Sequence, residues 1–103
     1  MRFLLNITMP IEKANAKMKD GTFPKDIEAI LGDLKPEAAY FIEDHGTRTG
    51  IIVVNIDDPS EIPAIAEPWF LAFNANVRFH PAMTPEDLMK AGPAIEAAAK
   101  RFG

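Results

Sequence analysis

A chain of 103 residues that is 48% hydrophobic and 25% charged, with nine prolines and no cysteine, has the composition of one domain able to bury a core without a covalent staple. The missing cysteines exclude disulfide scaffolds, thiolate metal sites, iron–sulfur clusters and cysteine nucleophiles. Fifteen acids against eleven bases leave a net charge of -4, which argues against a phosphate-backbone binder built on clustered Lys and Arg.

Residues Arg2 to Met9 alternate, with Phe3, Leu5, Ile7 and Met9 on one side and Arg2, Leu4, Asn6 and Thr8 on the other, the period of a strand with unlike faces. Pro10 ends it, and a short helix is expected over Ile11 to Lys19, closed by Asp20 and Gly21. Phe23, Ile27, Ile30, Leu31 and Leu34 then form one helical stripe, so Thr22 to Leu34 reads as an amphipathic helix with Thr22 as N-cap and Pro24 in its first turn. Ala38 to Glu43 and Thr49 to Ile56 read as strands flanking Asp44-His45-Gly46-Thr47. A His45-Gly46 loop with positive φ sets Glu43 opposite Arg48, Phe41 opposite Gly50 and Tyr40 opposite Ile51, which pairs an acid with a base and covers a strand glycine with an aromatic ring.

Asp58 before Pro59, with Glu61 at capping-box distance, starts the next helix, whose stripe runs through Ile62, Ile65, Ala66, Trp69 and Phe73. Pro63 and Pro68 each remove a backbone donor and predict a kink or a restart there. A last strand spans Asn76 to Pro81; Thr84-Pro85-Glu86-Asp87 opens a short helix, Gly92-Pro93 breaks it, and Ala94 to Phe102 forms a C-terminal helix.

The order β-α-β-β-α-β with a C-terminal helical extension is the ferredoxin-like split pattern of an α+β domain, with residues 1–103 as a single domain. One sheet face, with Phe3, Leu5, Ile7, Ala39, Phe41, Ile52, Val54, Ile56, Val77 and Phe79, goes under the helices. The other carries Leu4, Asn6, Thr8, Tyr40, Ile42, Ile51, Val53, Asn55, Asn76, Arg78 and His80. That open face is apolar enough to favour covering, and face-to-face pairing in a two-fold homodimer covers it; a monomer with a wet, half-apolar face is the plainer alternative. No secretory signal is expected in Met1 to Pro10, which lacks a small-residue cleavage site, and no run of apolar residues is long enough to span a bilayer, so a cytoplasmic location is the expectation.

The run Leu34-Lys35-Pro36-Glu37-Ala38-Ala39-Tyr40-Phe41, then Gly46-Thr47-Arg48-Thr49-Gly50 and Asp57-Asp58-Pro59, and above all Ile62-Pro63-Ala64-Ile65-Ala66-Glu67-Pro68-Trp69-Phe70 leading to Phe79-His80-Pro81 and Thr84-Pro85-Glu86-Asp87-Leu88, resembles a family of short uncharacterised proteins of the dimeric α/β-barrel superfamily. The resemblance implies a ferredoxin-like protomer and a barrel dimer. Muconolactone isomerase and cofactor-independent monooxygenases of the antibiotic-biosynthesis type are more distantly similar, as are haem-handling and stress-responsive barrels, so fold membership selects no reaction.

Arg78 and His80 stand two apart on one strand, which puts their Cα atoms about 6.6 to 7 Å apart on the same face. The arginine can anchor a carboxylate or enolate through paired hydrogen bonds, and the histidine can move a proton near neutral pH. Against this stands a structural reading, in which Arg78 pairs with Glu67 or Glu86 and His80 caps its strand before Pro81. Asn6, Tyr40 and Asn55 are candidate hydrogen-bonding groups of a dimer cavity, with mutual bonding or water as the competing use. Glu67 and Trp69 flank Pro68, where an interrupted helix can open a cleft; Trp69 also falls on the core stripe. His45 reads as a turn residue.

Two histidines at opposite ends of strands, with no ligand spacing, predict no metal site and no cofactor, and Gly32, Gly46 and Gly50 form no phosphate loop. The strands that stack bases in RNA-recognition motifs here present Asn6, Thr8, Ile51, Val53 and Asn55 without an aromatic platform, so no nucleic acid is expected. Two function classes follow. One is a homodimeric module that binds a small organic molecule or serves a structural role; the other is a cofactor-independent isomerase or monooxygenase with His80 as proton carrier and Arg78 as anion anchor.

Overall fold

The computed structural model describes all residues from Met1 to Gly103. Strand β1 (Arg2–Thr8) leads into helices α1 (Ile11–Asp20) and α2 (Thr22–Leu34), followed by β2 (Ala38–Asp44) and β3 (Thr47–Asn55). A 3-10 turn at Pro59–Glu61 precedes α3 (Ile62–Phe73), and β4 (Asn76–Pro81), α4 (Pro85–Lys90) and α5 (Gly92–Phe102) complete the chain. The sheet is antiparallel throughout in the order β2-β3-β1-β4, the strand order of a ferredoxin-like α+β fold.

The hairpin is the best-specified part of the chain. His45 and Gly46 take φ values of 52° and 77°, and the ladder opposes Glu43 to Arg48, Phe41 to Gly50 and Tyr40 to Ile51 as the turn chemistry predicts. The Phe41 ring lies 3.3 Å from where a Cβ on Gly50 would sit, so the aromatic ring does cover the strand glycine. The acid–base pair does not close, however. Glu43 turns back to accept from the Gly46 N–H at 2.7 Å, while Arg48 reaches across to Asn15 Oδ1 at 2.8 Å. Local turn geometry captures the carboxylate before the cross-strand partner can.

Two other expectations change. Thr22 does not cap α2: Gly21, at φ 82°, joins α1 to α2 directly, and Thr22 instead donates its hydroxyl and backbone N–H to Asp20. Neither Pro63 nor Pro68 interrupts its helix: α3 is continuous from Ile62 to Phe73, and the change from 3-10 to α geometry falls before both prolines, at Ile62. Asp58 caps the 3-10 turn through a closed capping box with Glu61, Pro63 enters the first turn of α3, and α3 then runs unbroken through Pro68. The box Thr84–Asp87 likewise opens α4, and α5 begins at Gly92 because Pro93 fits its first turn.

The core lies between the sheet and the helical layer. Leu5, Ile7, Ile52, Val54 and Ile56 from the sheet meet Ala14, Ile65, Trp69 and Phe73, all buried, with Phe23, Ile27, Ile30 and Leu31 of α2 packed on the outside. Trp69 and Phe73 are fully buried, and the ring of Phe23 stands edge-on to Phe73 at 5.2 Å between centroids. Lys17 closes this corner with a salt bridge to Asp26 and its ammonium 5.2 Å from the Phe73 ring.

The molecule is longer than its mass requires. It extends 59 Å along its longest axis with a radius of gyration of 17.2 Å, against about 13 Å for a compact domain of this length. Its accessible surface of 7077 Å² exceeds by about 1,300 Å² what a compact monomer of this mass exposes. The exposed helix α5, which packs closely only against α4, and the uncovered sheet face contribute to that surface.

Candidate functional site

The face of the sheet turned away from the helices is the candidate site, and strand register decides which side chains meet on it. Arg78 of β4 stands directly opposite Asn6 of β1, Asn6 opposite Ile51 of β3, and Ile51 opposite Tyr40 of β2. Four strands thus contribute one transverse row with an arginine at one edge, an amide beside it and a phenol at the far edge. Directly opposed side chains of such a row have Cβ atoms about 4.5 to 5.5 Å apart, so Arg78 and Asn6 can share one bound group. The next row, His80–Leu4–Val53–Ala38, places His80 one step along β4 on the same side.

Leu4, Asn6, Ile51 and Val53 in the middle of this face are half-buried by one another, while Arg78, His80, Tyr40 and Ile42 at its edges are exposed. Tyr40 keeps 66% of its surface open. Thr49 is the exception, buried at 1% and donating its hydroxyl to the Thr47 carbonyl. Asn6 Oδ1 accepts from the Thr8 hydroxyl at 3.4 Å, a long bond that leaves its amide N–H groups free.

Arg78 makes no ion pair, to Glu67, Glu86 or any other acid, and His80 lies inside β4 with no hydrogen-bond partner. Arg78 therefore lacks the acidic partner of the structural reading, while His80, the residue before Pro81 at the end of β4, stands where that reading puts it. The second arginine of this face, half-buried, is in a different state. Arg2 makes a bidentate pair with Glu37, at 2.8 and 2.6 Å, which holds the guanidinium above its ordinary pKa and the Glu37 carboxyl below its own. Asp87 and Glu86, from the start of α4, add smaller contributions of the same sign on Arg2. Arg2 is spoken for, and Arg78 is the free cation of the face. The Arg2–Glu37 pair was readable in principle, since Arg2 begins β1 on the open side and Glu37 immediately precedes β2.

The other candidate residues are dispersed. Asn55 sits at the end of β3 and accepts from the Met1 amino group at 2.7 Å, away from the Arg78 row. Glu67 is exposed on α3, and Trp69 is fully buried in the helical layer, on the opposite side of the sheet from Arg78 and His80. A pocket of about 470 Å³ does open at Pro68, between α2 and α3, but neither Glu67 nor Trp69 lines it, and α3 continues through the proline. The Trp69 indole Nε1 is buried without a partner, a desolvation penalty borne inside the core. No three of the His, Asp and Glu side chains approach one another closely enough to hold a metal ion. No helix is long and apolar enough to cross a membrane.

A second surface feature went unforeseen. Met18, Phe23, Ile27, Glu28, Leu31 and Phe41 line an apolar groove of about 580 Å³ between α2 and the β2 edge. The helical stripe of α2 contains its signal, but only the edge position of β2 leaves it open.

Residues 1–96 match the family described as Domain of unknown function (DUF3303). No curated protein matches the sequence.

Proposed function

We propose, for a chain that belongs to the DUF3303 family, that it acts as a cytoplasmic homodimer whose two open sheet faces enclose a shared interior and bind a small organic anion through Arg78. The observation that carries the reading is Arg78 itself, a cation with no acidic partner, set opposite the free amide of Asn6 on an otherwise apolar sheet face. Covering that face strengthens every electrostatic contact made inside it, and an unpaired guanidinium enclosed there requires an anion. A carboxylate satisfies its fork geometry through two parallel hydrogen bonds, and Asn6 adds a third donor. Ile51 and Tyr40 continue the row and suit an apolar or aromatic body. The surplus of exposed area noted above is of the order that one partner buries in a standard interface, about 800 Å².

Light scattering at tens of micromolar should give twice the 11.4 kDa chain mass, and a species of 11.4 kDa alone would remove the reading. Calorimetry against a panel of small aliphatic and aromatic carboxylates should find a binder whose affinity is lost in Arg78→Ala and weakened in Asn6→Ala. A dimer that binds none of them leaves the structural role of the same dimer.

His80 supports a second reading. It lies beside Arg78 on β4 with both ring nitrogens unengaged, the placement a proton carrier needs next to an anion anchor. A cofactor-independent isomerase or monooxygenase would use the pair in that way. Once a bound carboxylate that turns over is found, His80→Ala should abolish turnover while leaving binding intact; unchanged turnover would discard the role.

A further inference from the structure

Helix α5 has nothing to stand on in its own chain. Among the elements only α4 packs closely against it, and every residue from Pro93 to Gly103 is exposed. At 11 residues it is shorter than the roughly 12 to 15 at which an isolated helix becomes even marginal in water. It is nonetheless amphipathic. Ile95, Ala98, Ala99 and Phe102 recur at i, i+3, i+4 and i+7, while Glu96 and Lys100 pair at 3.7 Å on another side. Ile95 and Phe102 are 55% and 80% exposed, with two alanines between them that let a neighbouring surface approach closely.

The groove on α2 has the complementary shape and charge. Phe23, Ile27 and Leu31 line it at four-residue spacing along about 12 Å of helix, and the α5 stripe is about 10 Å long. Its one charged lining residue is Glu28, whereas α5 carries two bases and one acid in a chain whose net charge is -4. The two surfaces cannot meet within one copy as the chain is folded. They belong to opposite edges of the sheet, β4 and β2, three strand spacings or about 14 Å apart, and α5 packs closely only against α4.

We propose that α5 is an exchanged clasp, its Ile95–Phe102 stripe seated in the α2–β2 groove of a second copy of this chain. The inference rests on the homodimer reading and names a second, separate contact within it. A two-fold axis running along the strands lays the β4 edge of one copy over the β2 edge of the other, so the extension that leaves Pro81 meets its partner's groove. Both copies make the same contact, which closes the assembly at two.

The full chain tests this by hydrogen exchange, by association and by cross-linking. In the dimer the α5 amides should be protected, and Ile95→Glu/Phe102→Glu should weaken association by at least about tenfold with the Trp69 fluorescence unchanged, since neither residue reaches the core. Because the chain has no cysteine, Met18→Cys/Phe102→Cys on mild oxidation should give a covalent dimer. A dimer whose α5 amides exchange freely and which tolerates Ile95→Glu/Phe102→Glu, yet dissociates with Ile51→Lys, overturns the clasp and keeps the sheet-face contact. The converse pattern, loss with Ile95→Glu/Phe102→Glu and tolerance of Ile51→Lys, keeps the clasp and removes the sheet-face contact. Protected α5 amides in a monomer overturn the second copy as occupant, and a monomer with unprotected α5 removes both contacts.

Discussion

On strand β1 the two faces of the sheet differ by a single residue step: Leu5 and Ile7 are fully buried, while Leu4, Asn6 and Thr8 between and beside them stay half-open. The backbone, the hydrogen bonds and much of the apolar character are common to both sides. What separates them is cover. Helices α1 to α3 bring Trp69, Phe73 and Phe23 onto one side, and nothing from the chain seals the other. The first face is therefore a core in which volume decides stability, and the second is a surface whose contents matter only to what comes to lie on it.

Substitutions break or sharpen that contrast in a graded way. Trp69→Ala, on the covered side, should cost about 3 to 5 kcal/mol, read as a shift in the chemical denaturation midpoint, because the surrounding side chains cannot collapse into so large a cavity. Ile51→Lys, on the open side, should leave that midpoint within about 1 kcal/mol of the parent and act instead on association, raising the dimer dissociation constant at least about tenfold by light scattering. If Ile51→Lys unfolded the chain as Trp69→Ala does, the two faces would not be distinct. Gly46→Ala should cost about 1 kcal/mol, since φ 77° falls in the left-handed region, and the amide spectrum should keep the β2–β3 register. Because a slip of one residue would exchange the two faces of β2, a changed register in that variant would show that the turn alone holds them apart.

The smallest effect is on pH. Backbone N–H groups of Ser60 and Thr84 hold the carboxyls of Asp58 and Asp87 below the usual range, and the Thr22 hydroxyl does the same for Asp20. A carboxyl depressed in the folded state binds fewer protons there than when unfolded. Its contribution is complete above the unfolded value of about 3.9 and is lost as pH falls through the folded one. Thermal melts between pH 6 and 3 should show a shallow decline. Asp58→Asn, at the cap that leads into α3 and the core, should flatten it more than Asp87→Asn, at the cap of the C-terminal extension; equal effects would mean that the extension is coupled to the core.

Much of the fold was legible because its signals are local. The His45-Gly46 turn, the boxes at Asp58–Glu61 and Thr84–Asp87, and the alternation along β1 and β4 each act within a few residues. Local competition also explains the errors. Glu43 had two possible partners and took the nearer N–H, Thr22 lost the cap to a left-handed glycine, and Pro68 was tolerated because α3 is held by Ile65, Ala66, Trp69 and Phe73 in the core. The candidate site was less legible. Arg78 and His80 share a face by period alone, but Asn55 and Trp69, equally plausible by residue type, lie at a strand end and in the core.

The sequence by itself determined the elements, the hairpin register and the division of each strand into two sides, because turn chemistry and periodicity are properties of adjacent residues. Only the tertiary structure decided that Arg78 faces Asn6 without an acid in reach, that Arg2 is already neutralised by Glu37, and that α5 and the α2 groove are both open on one chain. Those facts depend on which strands pair and which edges are left free, and contacts between residues dozens of positions apart are set by the packing of the whole chain.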